Sequence, residues 1–152
     1  MAKVLLDASA VLVLLQSEPG YEVVRAALRD DECFITAANL AEVAGKLHQV
    51  LNDMEKVRRL VDLPNVQVLP VTEEDAFKAA ELAIPGKALG LSLGDRLCLA
   101  AALLEGAEVL TSDLAWLELN LPGLKVRPVR AHKGTTPAAG PASPSKKKGP
   151  KA

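Results

Sequence analysis

The chain alternates short apolar segments with longer segments of helical periodicity, and this alternation limits the folds that it can adopt. Short apolar runs predict five strands, at residues 4–6, 33–35, 66–71, 108–111 and 126–129. Helices are predicted between them, at residues 8–16, 22–29, 38–51, 54–63, 73–84, 93–105 and 114–119. Strands that alternate with helices indicate an α/β fold, in which a short central parallel sheet is flanked by helices on both faces.

The helix predicted at residues 93–105 is apolar almost all round, so we expect it to be buried. Thr72 is a predicted N-cap for the preceding helix, because its hydroxyl can accept an N–H of the first turn. Residues 85–90 are predicted to form a loop between the two helices. In a parallel sheet, ligands bind outside the carboxyl ends of the strands, and we expect the chemistry there.

One domain is expected at residues 1–130, followed by a segment of different composition. Residues 131–152 are rich in Pro, Ala, Gly and Lys and are predicted to be a disordered basic tail. Five of the 18 basic residues lie in this segment and none of the 19 acidic ones does, which leaves 13 basic residues and a net charge of −6 in residues 1–130. An acidic domain that handles nucleic acid must neutralise its carboxylates locally, and metal ions would do so.

Several classes of protein are disfavoured by what the sequence lacks. No apolar run reaches the length of a membrane span, and Asp7 comes too early for a signal peptide, so a cytoplasmic protein is expected. Cys33 and Cys98 lie in apolar stretches without a CxxC pattern, which indicates buried thiols rather than a zinc site. The chain has no phosphate-binding GKS or GKT loop, which argues against an NTPase, and no GxSxG elbow, which argues against a serine hydrolase. Its only histidines are His48 and His132, which argues against a pair of histidines that act as acid and base.

Two aspartates follow predicted strands. Asp7 comes directly after residues 4–6, and Asp113 comes two residues after 108–111. Each also precedes a predicted helix, so an N-capping role is an alternative for either one. Their shared position at strand carboxyl ends favours a functional role for the pair.

Two further acids belong to predicted helices. The helical neighbours of Asp95 are apolar, so it is not a typical solvated charge, although a favourable interaction with the helix dipole is an alternative. Glu42 lies opposite the apolar stripe of its helix, where pairing with Lys46 is the alternative.

A cluster of these acids would require neutralisation. Carboxylates about 4 Å apart repel by roughly 4 kcal/mol at an effective dielectric of 20, so a cluster needs protons or cations. Oxygen ligands suit Mg²⁺ or Mn²⁺.

At these acids the sequence resembles the PIN-domain ribonucleases of the VapC toxin type. The matching segments span nearly all of residues 1–130, in the same order and on the expected elements. They are Leu6-Asp7-Ala8-Ser9-Ala10, Asn39-Leu40-Ala41-Glu42-Val43, Leu91-Ser92-Leu93-Gly94-Asp95-Arg96 and Leu110-Thr111-Ser112-Asp113-Leu114-Ala115-Trp116.

The resemblance implies that the four acids converge and bind one or two divalent ions, Mg²⁺ or Mn²⁺, with support from the hydroxyls of Ser9 and Thr111. It also implies that a metal-bound water hydrolyses RNA, leaving 5′-phosphate and 3′-hydroxyl ends. Members of the toxin type are held inactive by a small antitoxin protein that covers the acidic groove, and they commonly form homodimers. The lysine-rich tail is outside the resemblance.

Substrate contacts are less well defined by the sequence. Arg96 either reaches a phosphate or covers a helix end, and Lys46 and Lys87 are further candidates for phosphate binding. The chain has only four aromatic residues, too few for an extended base-stacking platform. Trp116 is therefore expected to pack in the core or in a dimer rather than to stack on a base. The tail lysines either attract phosphate or keep the chain in solution.

Three functional hypotheses follow. The chain is a toxin-type endoribonuclease with a cognate antitoxin, or a housekeeping or DNA-directed nuclease of the same fold, or a catalytically silent module that binds RNA or protein. The presence of all four acids argues against the silent module, because RNA binds more easily to a surface without them.

Overall fold

The computed structural model describes residues 1–130, and the tail predicted at residues 131–152 lies outside the described residues. Within the described part, the strands are β1 (Lys3–Leu6), β2 (Glu32–Thr36), β3 (Val66–Leu69), β4 (Glu108–Thr111) and β5 (Val126–Pro128). The α-helices are α1 (Ala8–Leu15), α2 (Tyr21–Asp30), α3 (Ala37–Leu51), α4 (Met54–Val61), α5 (Glu73–Glu81) and α6 (Leu93–Glu105). The predicted α/β fold is confirmed.

The five strands form one parallel sheet in the order β3-β2-β1-β4-β5. The chain builds the sheet outward from β1 through β2 to β3 and then crosses to the other side of β1 to add β4 and β5. The direction of winding therefore reverses at β1, and a crevice forms at the carboxyl ends of β1 and β4. Asp7 stands at this point, and its backbone N–H donates to the carbonyl of Leu110 at 3.1 Å.

Side chains along β1, the central strand, point alternately to the two faces of the sheet, so the core has two layers. Val4 and Leu6 pack on one face with side chains of α1, α2 and α3, while Leu5 packs on the other face with α5 and α6. All three are fully buried. The middle of α6 is buried from Leu97 to Ala102, as its uniform apolar character predicted, whereas Leu93 at its start is 60% exposed.

Side-chain caps begin both α5 and α6. The Thr72 hydroxyl accepts the N–H of Asp75, which confirms the predicted cap of α5, and the Asp75 carboxylate bonds back to the Thr72 N–H. The same reciprocal arrangement joins Ser92 and Asp95 at the start of α6. These caps fix the direction in which each helix leaves its loop.

Two local predictions were wrong, and for a third the structure specifies the type of helix. The predicted loop at residues 85–90 contains a 3₁₀ helix, Lys87–Leu89, which Gly90 ends in the left-handed region with φ of 65°. The short helix predicted at residues 114–119 is present at Leu114–Glu118. It is a 3₁₀ helix, because its N–H groups bond three residues back, as in Trp116 to Asp113. The helix predicted at residues 73–84 ends at Glu81, before the turn that leads into Pro85.

Both cysteines are buried and unpaired, as the sequence predicted. No helix within residues 1–130 combines the length and the apolar character that crossing a bilayer requires.

Leu5 tests the central position of β1. Replacing this fully buried side chain by alanine (Leu5→Ala) removes apolar contacts and leaves a cavity, so we expect the free energy of unfolding to fall by about 2–5 kcal/mol. Urea denaturation measures the change. The matched control is Val50→Ala, at a side chain that is 80% exposed, where a change within about 0.5 kcal/mol is expected. Equal losses in both variants would contradict the placement of β1 at the centre.

Candidate active site

A small cavity of about 190 Å³ opens at the carboxyl ends of β1 and β4. It is lined by all four acids that the sequence analysis singled out, together with two other polar side chains and three apolar ones. The lining residues are Asp7, Ala8, Ser9, Leu12, Glu42, Lys46, Asp95, Asp113 and Trp116. A larger depression of about 490 Å³ lies between α3, α4 and β3, but its lining is mostly apolar and carries one carboxylate, Asp62. We call the first cavity the acidic cavity.

Asp7 is the buried member of the acidic cavity, with 4% of its surface exposed. Its Oδ1 accepts hydrogen bonds from the Ser9 hydroxyl at 2.7 Å and from the Ala10 N–H at 2.8 Å. Its Oδ2 accepts the Thr111 hydroxyl at 2.6 Å. Both carboxylate oxygens are therefore held, and the side chain is the most rigidly placed acid of the four.

The two hydroxyls that hold Asp7 also connect it to the turn after β4. The Ser9 Oγ accepts the N–H of Ser112 at 2.9 Å, and the Thr111 Oγ1 accepts the N–H of Asp113 at 3.0 Å. This network brings the turn that carries Asp113 against the end of β1. The structure thus places Ser9 and Thr111 beside the acids, where the resemblance expects supporting hydroxyls.

Asp113 and Asp95 each act as helix caps while they line the cavity. The Asp113 Oδ1 accepts the N–H of Ala115, and the Asp95 Oδ2 accepts the N–H of Ser92 at 2.9 Å. Asp7 likewise caps α1 through its bond to Ala10. A capping role and a functional role therefore do not exclude each other. The hydrogen bond that pairs a free N–H at the helix start also holds the carboxylate in the wall of the cavity.

Glu42 extends from the exposed face of α3 to the start of α6. Its Oε1 accepts a hydrogen bond from the Asn39 side-chain amide at 2.7 Å, and Asn39 is 1% exposed. The Glu42 carboxylate packs directly against the Cα of Gly94. Sequence analysis assigned no role to Asn39 or Gly94, although the i,i+3 spacing of Asn39 and Glu42 places the two on neighbouring positions of one helix face.

The candidate substrate-binding residues are not all at the cavity. Lys46 lines it and is the one basic side chain among residues 1–130 that does so. Arg96 does not line it, and its guanidinium donates to the carbonyl of Ala79 near the end of α5 at 3.0 Å, which supports the helix-end alternative. Lys87 is exposed on its 3₁₀ helix and does not line the cavity. Trp116 is 1% exposed, which agrees with core packing, and one part of it forms cavity wall.

Burial controls the charge state of Asp7. Burial removes the Asp7 carboxylate from water and raises its pKa. Hydrogen bonds from Thr111, Ser9 and Ala10 lower the pKa, but burial has the larger effect and the pKa of Asp7 is raised to about 6. The negative charge of Asp95 raises it further. The pKa of the buried Cys98 thiol is raised by burial and then by the charges of Asp7, Asp95 and Glu42. Three hydrogen bonds thus offset only part of the desolvation cost of Asp7, and a cation would offset more.

The donor set suits a hard divalent cation. The cavity offers carboxylates and a hydroxyl, and none of the described residues that line it is a histidine or a cysteine. As placed, no three acidic, histidine or cysteine side chains within residues 1–130 converge closely enough to hold an ion together. One carboxylate oxygen in each of Glu42, Asp95 and Asp113 accepts no hydrogen bond from the described residues. The residues present fit such an ion by the chemistry of their donor atoms, and all four acids line the same cavity.

Comparisons with known proteins agree with this architecture. The sequence profile of the PIN domain matches residues 4–120. No curated protein sequence matches the chain.

Solved structures with the same fold come from several bacteria. A chain of the DNA-bound VapBC from Salmonella typhimurium has a TM-score of 0.68 and 20% identity, over 85% of this chain and 99% of that one. A chain of VapBC2 from Rickettsia felis, bound to a promoter DNA fragment, has a TM-score of 0.66 and 17% identity, over 83% and 98%. VapC20 from Mycobacterium tuberculosis, described as a toxin that cleaves the sarcin-ricin loop, has a TM-score of 0.60 and 14% identity, over 77% and 96%.

The raised pKa of Asp7 predicts a pH dependence of stability. Because the folded chain binds this proton more tightly than the unfolded one, the contribution is present below pH 4 and is lost as the pH rises through about 6. At about 1.4 kcal/mol per pKa unit, the loss is on the order of 3 kcal/mol. It is measured by chemical denaturation with chelator between pH 4 and 7, comparing the chain with Asp7→Asn, which should lack this loss.

Subtracting the stability profile of Asp7→Asn from that of the unmodified chain cancels the contribution of the other carboxylates, which are present in both proteins. The matched control is Asp62→Asn, an exposed acid that does not line the acidic cavity, and it should keep the slope of the unmodified chain. Parallel profiles for the unmodified chain and Asp7→Asn would contradict the raised pKa.

Proposed function

The chain belongs to the PIN-domain family, and on that premise we propose that it is a metal-dependent endoribonuclease, the toxin of a toxin–antitoxin pair. The observation that carries the proposal is that four carboxylates from separate segments line one cavity at the point where the strand order of the sheet reverses. Four acids that only capped helices or faced solvent would have no reason to share a cavity, since their mutual repulsion opposes it.

The metal would be held by Asp7, Glu42, Asp95 and Asp113, and we propose Mg²⁺ or Mn²⁺ from the oxygen donors. When bound, such an ion polarises phosphate oxygens and lowers the pKa of water, which supplies a nucleophile at neutral pH. Asp7 is the fixed member, because hydrogen bonds hold both of its oxygens. The other three acids approach from helix ends and helix faces around it.

The chain's own residues also restrict what enters the cavity. Lys46 extends beside the acids from the exposed face of α3 and is placed to attract a phosphate of the substrate backbone. Leu12 and Trp116 form apolar wall, which reduces the access of bulk water and strengthens the electrostatic interactions of the carboxylates. Arg96 is not assigned to substrate, because its guanidinium is committed to the end of α5.

RNA as substrate and an antitoxin as partner are supported by what the structural neighbours are described as doing. One neighbour is described as a toxin that cleaves the sarcin-ricin loop, and others were solved in VapBC complexes. We propose the same class of substrate and partner for this chain, together with a homodimer. A housekeeping nuclease of the same fold is the alternative, and the two differ in whether an antitoxin accompanies the chain.

The nuclease is tested by incubating a mixed RNA pool with the full chain and Mg²⁺ or Mn²⁺. We expect cleavage that leaves 5′-phosphate and 3′-hydroxyl ends, is abolished by chelator, and falls at least about 100-fold in Asp7→Asn and Asp95→Asn, because each variant removes a carboxylate from the cavity. Gel electrophoresis with end-group analysis measures both. The matched control is Glu22→Gln, an exposed acid outside the cavity, which should cleave like the unmodified chain.

Cleavage that survives chelator would overturn the metal mechanism, and so would products that end in cyclic phosphate. DNA cleaved in preference to RNA would overturn the proposed substrate while keeping the nuclease.

The toxin assignment is tested in cells. Production of the chain alone in a bacterial host is expected to stop growth, because uncontrolled RNA cleavage blocks translation, and Asp7→Asn should not stop it. A short upstream reading frame that encodes a DNA-binding antitoxin is expected to overlap or abut the gene, and its co-expression should restore growth. Growth curves and genomic sequence provide the measurement. The absence of such a frame would contradict the toxin assignment and leave the housekeeping nuclease.

A further inference from the structure

Asn39 is a buried polar residue whose hydrogen bonds point to Glu42. It lies on α3 one turn before Glu42 and is 1% exposed. Its Nδ2 donates to the Glu42 Oε1 at 2.7 Å and lies 3.5 Å from the carbonyl oxygen of Gly94 on α6. The amide therefore connects the acid to the helix that faces it.

The orientation of this amide is set by the charge beside it. Reversing it would put the Asn39 Oδ1 against a carboxylate oxygen of Glu42, which is repulsive, so the N–H₂ group must face the acid. In this orientation the Oδ1 is buried and has no hydrogen-bond partner among the described residues. A buried oxygen without a partner is unfavourable for folding, and an apolar side chain of similar size would avoid it. Fold stability alone therefore does not explain asparagine at this position.

Gly94 supplies the second side of the arrangement. A Cβ on Gly94 would stand 2.7 Å from the Glu42 Oε1 and 2.9 Å from its Cδ and Oε2. Gly94 lies in the first turn of α6 and does not have a positive φ, so the backbone does not require glycine there. The requirement is spatial, because the Glu42 carboxylate occupies the position of the missing side chain.

Together these contacts hold an acid that would otherwise be free to move. Glu42 is on the exposed side of its helix, where a long side chain adopts many rotamers. Seated against Gly94, its carboxylate lies at the N-terminal turn of α6, where the helix dipole favours negative charge and where Asp95 also stands. Glu42 and Asp95 both line the acidic cavity.

We propose that Asn39 and Gly94 are positioning residues that seat the Glu42 carboxylate in the acidic cavity, Asn39 by donating a hydrogen bond and Gly94 by leaving space. The proposal rests on the proposed function in that Glu42 is there a metal-holding acid. The seat itself is a contact of the metal-free chain, and it can be tested without RNA.

The first test is a thermal unfolding cycle with Glu42→Ala, Gly94→Ala and the double variant, all in chelator. Alanine is the better helix former, and the nearest atoms to its Cβ are all from Glu42, so Gly94→Ala should raise Tm in the Glu42→Ala background. In the unmodified background it should leave Tm unchanged or lower it, because Glu42 must leave its bond to Asn39. The control is Gly45→Ala on α3, which meets nothing within 4 Å and should raise Tm in both backgrounds.

The second test measures Mn²⁺ binding through Trp116, which is the only tryptophan of the chain and forms part of the cavity wall. Quenching of its emission should show that Asn39→Leu and Gly94→Ala each weaken Mn²⁺ binding about 10- to 100-fold, the effect typical of groups that orient a metal ligand. Neither should weaken it further in the Glu42→Ala background. Asn39→Leu should weaken Mn²⁺ binding while its Tm stays the same or rises. If Asn39 had a purely structural role, the Tm would fall as well. In RNA cleavage, kcat should fall and KM should stay the same.

Additive effects of Gly94 and Glu42 substitutions on Tm would overturn the seat, and so would unchanged Mn²⁺ binding in Asn39→Leu and Gly94→Ala. Non-additive Tm effects and weakened Mn²⁺ binding in a chain that leaves RNA intact would support the seat and overturn the proposed substrate.

Discussion

The burial of the Asp7 carboxylate is the constraint on which the rest of the site depends. A carboxylate with 4% of its surface exposed is unfavourable next to an apolar core, and the chain surrounds it with three donors from Ser9, Ala10 and Thr111. Two of these donors are hydroxyls that in turn accept N–H groups from the turn after β4. Satisfying one buried charge therefore fixes the junction of β1 and β4, and with it the position of Asp113.

The same side chains both cap helices and line the acidic cavity. Asp7, Asp95 and Asp113 each accept an N–H at a helix start, which costs the helix nothing and leaves the carboxylate aimed at the cavity. Glu42 lies inside a helix and has no cap to orient it. Its orientation depends on a buried amide and on a position without a side chain, so the four acids are held by two different physical means.

The sequence predicted the elements that depend on local pattern and missed those that depend on three-dimensional contact. Hydrophobic periodicity predicted the five strands, and strand-end position predicted where Asp7 and Asp113 lie. Sequence alone did not separate the two roles of Arg96, because the carbonyl of Ala79 that it binds is 17 residues away. Asn39 and Gly94 were missed for the same reason, since α3 and α6 meet only in the folded chain. The 3₁₀ helix at Lys87–Leu89 was missed because a single turn leaves no periodic signal.

The order in which the sheet is assembled has a consequence for synthesis of the chain. The central strand is made first, yet the neighbour that supplies Thr111 is made about a hundred residues later, and β4 can pair with β1 only after everything between them has left the ribosome. A nascent chain that ends before β4 contains three of the four acids but lacks the hydroxyl that holds Asp7 and the turn that carries Asp113. The acidic cavity is therefore absent from every nascent chain that ends before β4, and an activity that depends on it begins only when most of the domain has been translated.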